Sequence, residues 1–160
     1  MKPHLQSLIL AEKVFQDKTT NQFVIAGTFN QLHVRQNQPI EETPAVQTTA
    51  TPRKVSIKDL QSAGSPWLFF SLTDIVDRVP CSIRFVFLKD NNVLFSTNFT
   101  IESKDRLATL EYRLALPTLP IIELGQYAIE FLAFDEMIGS LRIMALNPDG
   151  ETMEPKHESS

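Results

Sequence analysis

About seven or eight short apolar runs, each able to alternate its side chains inward and outward, fill most of the chain. Residues 5–15 form a largely apolar segment with the polar interruption Glu12-Lys13, and a polar cluster over 16–21 separates them from residues 23–29. Val, Ile, Phe and Thr fit a pleated, half-buried surface, which favours a hairpin here. Leu8, Ala11, Val14 and Phe15 also have helical spacing, so a helix over residues 5–16 is the competing reading. Gly27 within a strand pattern signals a bulge or a close backbone approach.

The second half is more regular. Residues 67–75 read as a strand, with Asp77, Arg78 and Pro80 as punctuation after it. Ile83, Phe85 and Phe87 then share one face, opposite Arg84, Val86 and Leu88. Asp90, Asn91 and Asn92 signal a turn, and Val93, Phe95, Thr97, Phe99 and Ile101 follow at period two. Ala108, Leu110, Tyr112, Leu114 and Leu116 alternate with Thr109, Glu111 and Arg113, the pattern of one buried and one wet face. Residues 117–120 break that strand. Tyr127, Ile129, Phe131 and Ala133 form the next one behind Gly125, and Asp135 and Glu136 turn the chain into residues 137–146. Short connections and no second helical period predict an all-β fold. The expectation is an antiparallel β-sandwich, immunoglobulin-like in general architecture, with about seven to nine strands.

Between residues 36 and 66 the pattern stops. Pro39, Pro44, Pro52 and Pro66 each remove a ladder donor, and threonines surround two of them. This predicts a long mobile loop over 36–64 inside a single domain of residues 1–146. Residues 53–58 could form a short basic edge strand there. The polar residues 147–160 predict a disordered tail.

Composition narrows the function classes. Charged residues make up 21% of the chain and the net charge is −4, with no basic stripe for nucleic acid or an anionic membrane. No run approaches the roughly 18 apolar residues of a membrane helix, and the apolar run over 8–11 is too short for a signal peptide. One cysteine, Cys81, excludes an internal disulfide and a cysteine-based zinc cluster. A cytoplasmic protein is the expectation.

No catalytic constellation stands out. His4, His33 and His157 lack metal-ligand spacing. Cys81 follows Pro80 at the start of an apolar strand with no base beside it, so an inert buried thiol is expected. Asp17, Asp74, Asp77, Asp90 and Asp105 fall at turns, where aspartates bend the chain, and they could also gather as a calcium site at one end of a sandwich. Glu111 and Glu130 could oppose each other as a glycosidase pair, but each also fits an outward position of an alternating strand. Arg142 is a candidate partner for either glutamate. Tyr127 should pack inward with its hydroxyl on the backbone, as at sandwich corners. Residues 67–70 are apolar on both faces, which fits either a strand buried on both sides or a docking patch. The same choice arises at Leu132 and Phe134. Trp67, Phe69, Leu132 and Phe134 are therefore the candidate interface residues.

Leu8 to Phe15, then Asp17, Thr20 and the run from Val24 to Phe29, resemble the opening of a family of small bacterial β-sandwich proteins of unknown function. Leu116-Pro117, Leu119-Pro120, Gly125-Gln126-Tyr127 and Gly139-Ser140-Leu141-Arg142 extend the resemblance over about residues 3–146. It implies a one-domain sandwich and no activity. The excursion over 36–64 is longer than the family pattern.

Together these features lead to a non-enzymatic protein-interaction or structural module without cofactors, acting on a protein partner or by self-association. The alternative is a small-ligand or glycan-binding sandwich that uses its end loops, with or without calcium. A pocket lined by Asp74, Asp77 and His33 would instead favour an enzyme.

Overall fold

A computed structural model describes residues 1–33 and 66–147. The expected loop over 36–64, the edge strand over 53–58 and the tail from 148 onward lie outside the described residues.

Among the described residues, nine strands form two sheets. In chain order they are β1 (His4–Gln16), β2 (Phe23–Thr28), β3 (Gln31–His33), β4 (Trp67–Thr73), β5 (Asp77–Phe87), β6 (Asn92–Ser103), β7 (Leu110–Ala115), β8 (Gly125–Ala133) and β9 (Glu136–Leu146). One sheet has the order β2-β1-β4-β7 and the other β3-β9-β8-β5-β6. All pairings are antiparallel except that of β3 with β9. The result is the β-sandwich that the alternation predicts. Residues 4–16 are strand throughout, so the helical reading fails: the apolar residues on both sides of β1 have a sheet neighbour or core to cover them.

The core lies between the sheets. Leu68, Phe70 and Leu72 enter it from β4, Ile83, Phe85 and Phe87 from β5, and Tyr127, Ile129, Phe131 and Ala133 from β8. Phe131 meets Phe70 edge-on at 4.8 Å, and Tyr127 stacks on Phe85 at 5.2 Å. Leu116, Leu119 and Ile121 follow β7 and are buried in the same core, so the proline-broken segment closes one end of it.

Tyr127 sits at the corner entering β8. Its hydroxyl donates to the Glu123 carbonyl at 2.5 Å and accepts from the Ile122 and Glu123 amides, both at 3.1 Å. One phenol thereby ties down the approach to the strand, as at the tyrosine corner of immunoglobulin-like sandwiches.

Three details depart from the sequence reading, and a fourth decides between its alternatives. Pro80 lies inside β5 opposite Thr100 rather than between strands. Its carbonyl accepts from Phe134 N, on the side where pairing with β8 has already ended at Ala133, so the missing N–H breaks no ladder bond. Leu94 is an extra residue in β6, because Phe85 faces Phe95 while Val86 faces Val93. That bulge turns Leu94 to the core and leaves Val93 exposed. The β8–β9 turn is Phe134-Asp135, not Asp135-Glu136, and Glu136 already pairs with Ala133. Finally, Gly27 causes no register shift against β1; its φ of +71° and its position against the Glu12 side chain make it a close approach instead of a bulge.

Candidate interaction surface

The four candidate interface residues do not form one surface. Trp67 and Phe69 lie on the outer face of the four-stranded sheet, in a second apolar cluster with Ala11 and Val14 and with Ile9, Phe23 and Ile25 packed around them. Phe23 and Phe69 rings are 5.4 Å apart. Arg113 crosses this cluster with its guanidinium 5.3 Å from the Trp67 ring and donates to the Val14 carbonyl at 2.9 Å. The residues of this face cover one another, and Phe69 is only 6% exposed. Leu132 is likewise buried, opposite Met137. Phe69 and Leu132 thus leave little side chain for a partner.

Phe134 is different. Leu132 and Phe134 would share a strand face only if β8 continued, and it ends at Ala133. Phe134 and Asp135 instead form a two-residue hairpin turn, with φ of 51° and 62°. Positive φ at both central positions is the type I′ pattern, for which Asn-Gly is favoured and an aromatic is costly. The strained Phe134 is 47% exposed.

Two other turns gather at this end of the sandwich. The β4–β5 turn carries Val76, 45% exposed, and the β6–β7 turn carries Leu107, 86% exposed. Asp77 pairs with Ser103 and Leu72 with Leu110, so both turns leave the sheets side by side. Arg106 bridges to Asp74 at 3.6 Å and joins them. Asp105 Oδ1 accepts from Leu107 N at 2.9 Å and fixes the backbone beneath that leucine. Asp74 and Asp77 hold φ of 59° and 56°, the left-handed conformation that aspartate tolerates better than most residues. The Phe134 amide anchors the third turn to Pro80 of β5. Met137, exposed at the start of β9, adds a fourth apolar side chain, and Lys2 pairs with neighbouring Glu136. Among the described residues the carboxylates of Asp77, Glu102, Asp105 and Asp135 have no salt bridge. The end is apolar at its tips and mixed in charge around them, with Arg78 directly across from Glu102 and Lys104 in the β6–β7 turn. Leu107, Met137 and Val76 escape sequence reading because nothing local marks them as neighbours.

A cleft of about 310 Å³ lies beside the Phe134-Asp135 turn, lined by Pro80, Cys81, Ser82, Asn98, Phe99, Thr100 and Asp135. Cys81 is buried and points its thiol at the Val79 carbonyl 3.7 Å away. Burial pushes the thiol up to about 11, so it is protonated at neutral pH and a poor nucleophile.

The other candidate groups are dispersed. His33 is opposite Leu146, at the end of β9 remote from Asp74 and Asp77. Glu111 is on β7 and Glu130 on β8, in different sheets, each outside the core, so they cannot flank one substrate bond. Glu130 takes Arg84 as its partner at 3.0 Å, directly across the strand pair, rather than Arg142. Asp17 and Asp90 serve their own turns, accepting from Thr19 N and Asn92 N. Among the described residues no three His, Cys, Asp or Glu side chains converge as a metal site, and no helix is long and apolar enough to cross a membrane. No family model and no curated protein matches the chain.

Proposed function

We propose that the protein is a non-enzymatic interaction module that grips a protein partner with the end formed by the β4–β5, β6–β7 and β8–β9 turns. The observation that carries this reading is the exposure of Val76, Leu107 and Phe134 on three turns at one end of the sandwich, with Met137 exposed at the start of β9, the turns being held by side-chain and backbone hydrogen bonds. Exposed large apolar side chains in one place mark contact sites, and short rigid turns lose little entropy on binding. A strained aromatic at a turn tip is the kind of local cost that persists where it serves a contact. The complementary partner presents apolar side chains to these tips, with charges of both signs around them to meet Asp77, Asp105 and Asp135 on one hand and Arg78 and Lys104 on the other. A cytoplasmic setting accords with the single buried thiol. Membership of the small bacterial β-sandwich family that residues 3–146 resemble belongs to the same reading.

The test places a photo-crosslinking amino acid at Leu107 or Met137, and at the exposed Phe15 of β1, near the other end and in the other sheet, as control, in cells that make the protein. A discrete adduct from Leu107 and Met137 alone supports the reading. No adduct, or the same adducts from Phe15, refutes it. Phe134→Asn should relieve about 1 kcal/mol of turn strain while weakening the adduct, since asparagine suits left-handed φ and removes the ring. Unchanged crosslinking in that variant would exclude Phe134 from the contact.

The cleft supports a second reading. Ser82, Asn98, Thr100 and Asp135 offer hydroxyl, amide and carboxylate groups suited to a hydroxyl-rich small ligand. A glycan array with and without calcium separates the two: saturable glycan binding lost in Asp135→Ala would favour it.

A further inference from the structure

β6 ends the five-stranded sheet, and among the described residues its only strand neighbour is β5. It is 12 residues long, against about 5–6 for an ordinary strand. An edge of that length presents a row of open backbone donors and acceptors, which natural proteins blunt with lysine, proline, inward charges, bulges or brevity. The other edges use such devices. β3 has 3 residues, β2 carries Gly27 at φ +71°, and β7 has 6 residues with Glu111 and Arg113 among them. β6 contains no Lys, Arg or Pro, and its only charge is Glu102 near one end. Its one irregularity, the extra residue Leu94, lies near the other end. From Phe95 to Ile101 the alternation is unbroken: Ser96, Asn98 and Thr100 are exposed, and the residues between them turn toward the core.

The inward face is also unfinished at this edge. Phe95 and Phe99 pack against the core but stay partly exposed, and Phe70 lies between Phe99 at 5.8 Å and Tyr112 of β7 at 5.5 Å. Among the described residues the sandwich is thus open along the β6 and β7 edges, and a strand added to β6 would cover the rings.

We propose that two copies of the chain pair through β6, antiparallel, across a two-fold axis at Asn98. Directly opposed residues of an antiparallel pair share a face, so the axis must pass through a residue position. An axis at Asn98 uses the regular stretch and leaves the bulge outside it. It sets Phe95 against Ile101, Thr97 against Phe99, and Ser96 against Thr100 of the other copy, and Asn98 against itself. Glu102 then faces Leu94, so no like charges meet. Aromatic and β-branched residues fall opposite one another inside and small polar residues outside, the pairings that stabilise sheets. The second copy fits better than a foreign strand because the complementarity is internal to β6. A contact of one strand pair is small and belongs with weak, transient interfaces.

Sedimentation velocity on the full chain, from low to high micromolar concentration, tests this together with Asn98→Lys and Asn98→Glu. Asn98 is exposed, so both variants should melt like the wild type. The wild type should dimerise, each variant should weaken the dimer by about tenfold or more, and an equimolar mixture of the two should recover it, because opposite charges then face each other on the axis. A monomeric wild type overturns the proposal. So does a dimer indifferent to both charges, or weakening by both without recovery on mixing. Photo-crosslinking from Leu107 reads the turn end alone, so either surface can fail without the other.

Discussion

Removing one oxygen atom tests the corner that enters β8. In Tyr127→Phe the ring keeps its stack on Phe85 and its contact with Phe87 at 4.8 Å, and only the hydroxyl is lost. Three hydrogen bonds go with it, to Ile122 N, Glu123 N and Glu123 O. A neutral hydrogen bond contributes a net 0.5–1.5 kcal/mol, about 1.5–4.5 kcal/mol for the three. Ile122 and Glu123 are exposed, so water can reach their freed backbone groups and the lower half of that range applies. The expected loss is about 2 kcal/mol, equivalent to a fall of roughly 4–8 °C in Tm for a chain of this size. Tyr127→Ala would add about 3–5 kcal/mol for the ring, a large part of a marginal stability, and is the less informative variant. Urea titration followed by the fluorescence of the single tryptophan, Trp67, gives the number. A shift in midpoint without a change in slope would confirm that the native state alone has lost the bonds. A loss below about 0.5 kcal/mol, the range of neutral surface changes, would refute the claim that the phenol fastens this corner.

Two further predictions concern the interior. Burial raises the Cys81 thiol from 9.0 to about 11, so the folded chain holds that proton where the unfolded chain releases it. The associated stability is present below about pH 9 and is lost as pH rises toward about 11; urea midpoints should fall across that window in the wild type and fall less in Cys81→Ala. Equal slopes would disprove the coupling, and burial of the Tyr112 and Tyr127 phenols should remain visible at higher pH in both proteins. In β9, Gly139 lies against Leu5 of β1, and a Cβ there would run into the leucine side chain. Gly139→Ala should cost about 1–2 kcal/mol, with Leu5→Ala relieving part of the strain in a double-mutant cycle; simple additivity would place the cost elsewhere.

Alternation made most of the fold legible. Leu110, Tyr112 and Leu114 in β7, and Tyr127, Ile129 and Phe131 in β8, point inward as their period of two requires. The failures arise where a partner strand decides the outcome. Nothing in Val93-Leu94-Phe95 records that Leu94 will be the extra residue, because the bulge exists only relative to Phe85 and Val86. Pro80 fits within β5 only because β8 stops short of it. A turn at Phe134-Asp135 contradicts local preference, and the pairing of β8 with β9 imposes it. The candidate surface was harder still. Val76, Leu107 and Phe134 lie on three separate turns, and only the strand order brings those turns together. Of these only Phe134 is marked in the sequence, by its apolarity, and the strand face that its spacing from Leu132 implies ends at Ala133.

Local rules and global structure agree over most of this sandwich, so the places where they disagree carry information. An aromatic held at φ 51° at an exposed turn and an unguarded strand of 12 residues at a sheet edge are both unfavourable for an isolated chain. Each becomes favourable if something covers it, and the two proposals assign the surfaces different occupants. β6 runs toward Ser103 and the turn end, so antiparallel pairing of two β6 strands sends the two turn ends in opposite directions. Partners bound at the turns would therefore not meet, and the paired chains would hold two of them far apart. The proposed self-association through the edge and the proposed recognition through the turns are thus mutually compatible, and together they would make one small sandwich a bivalent connector.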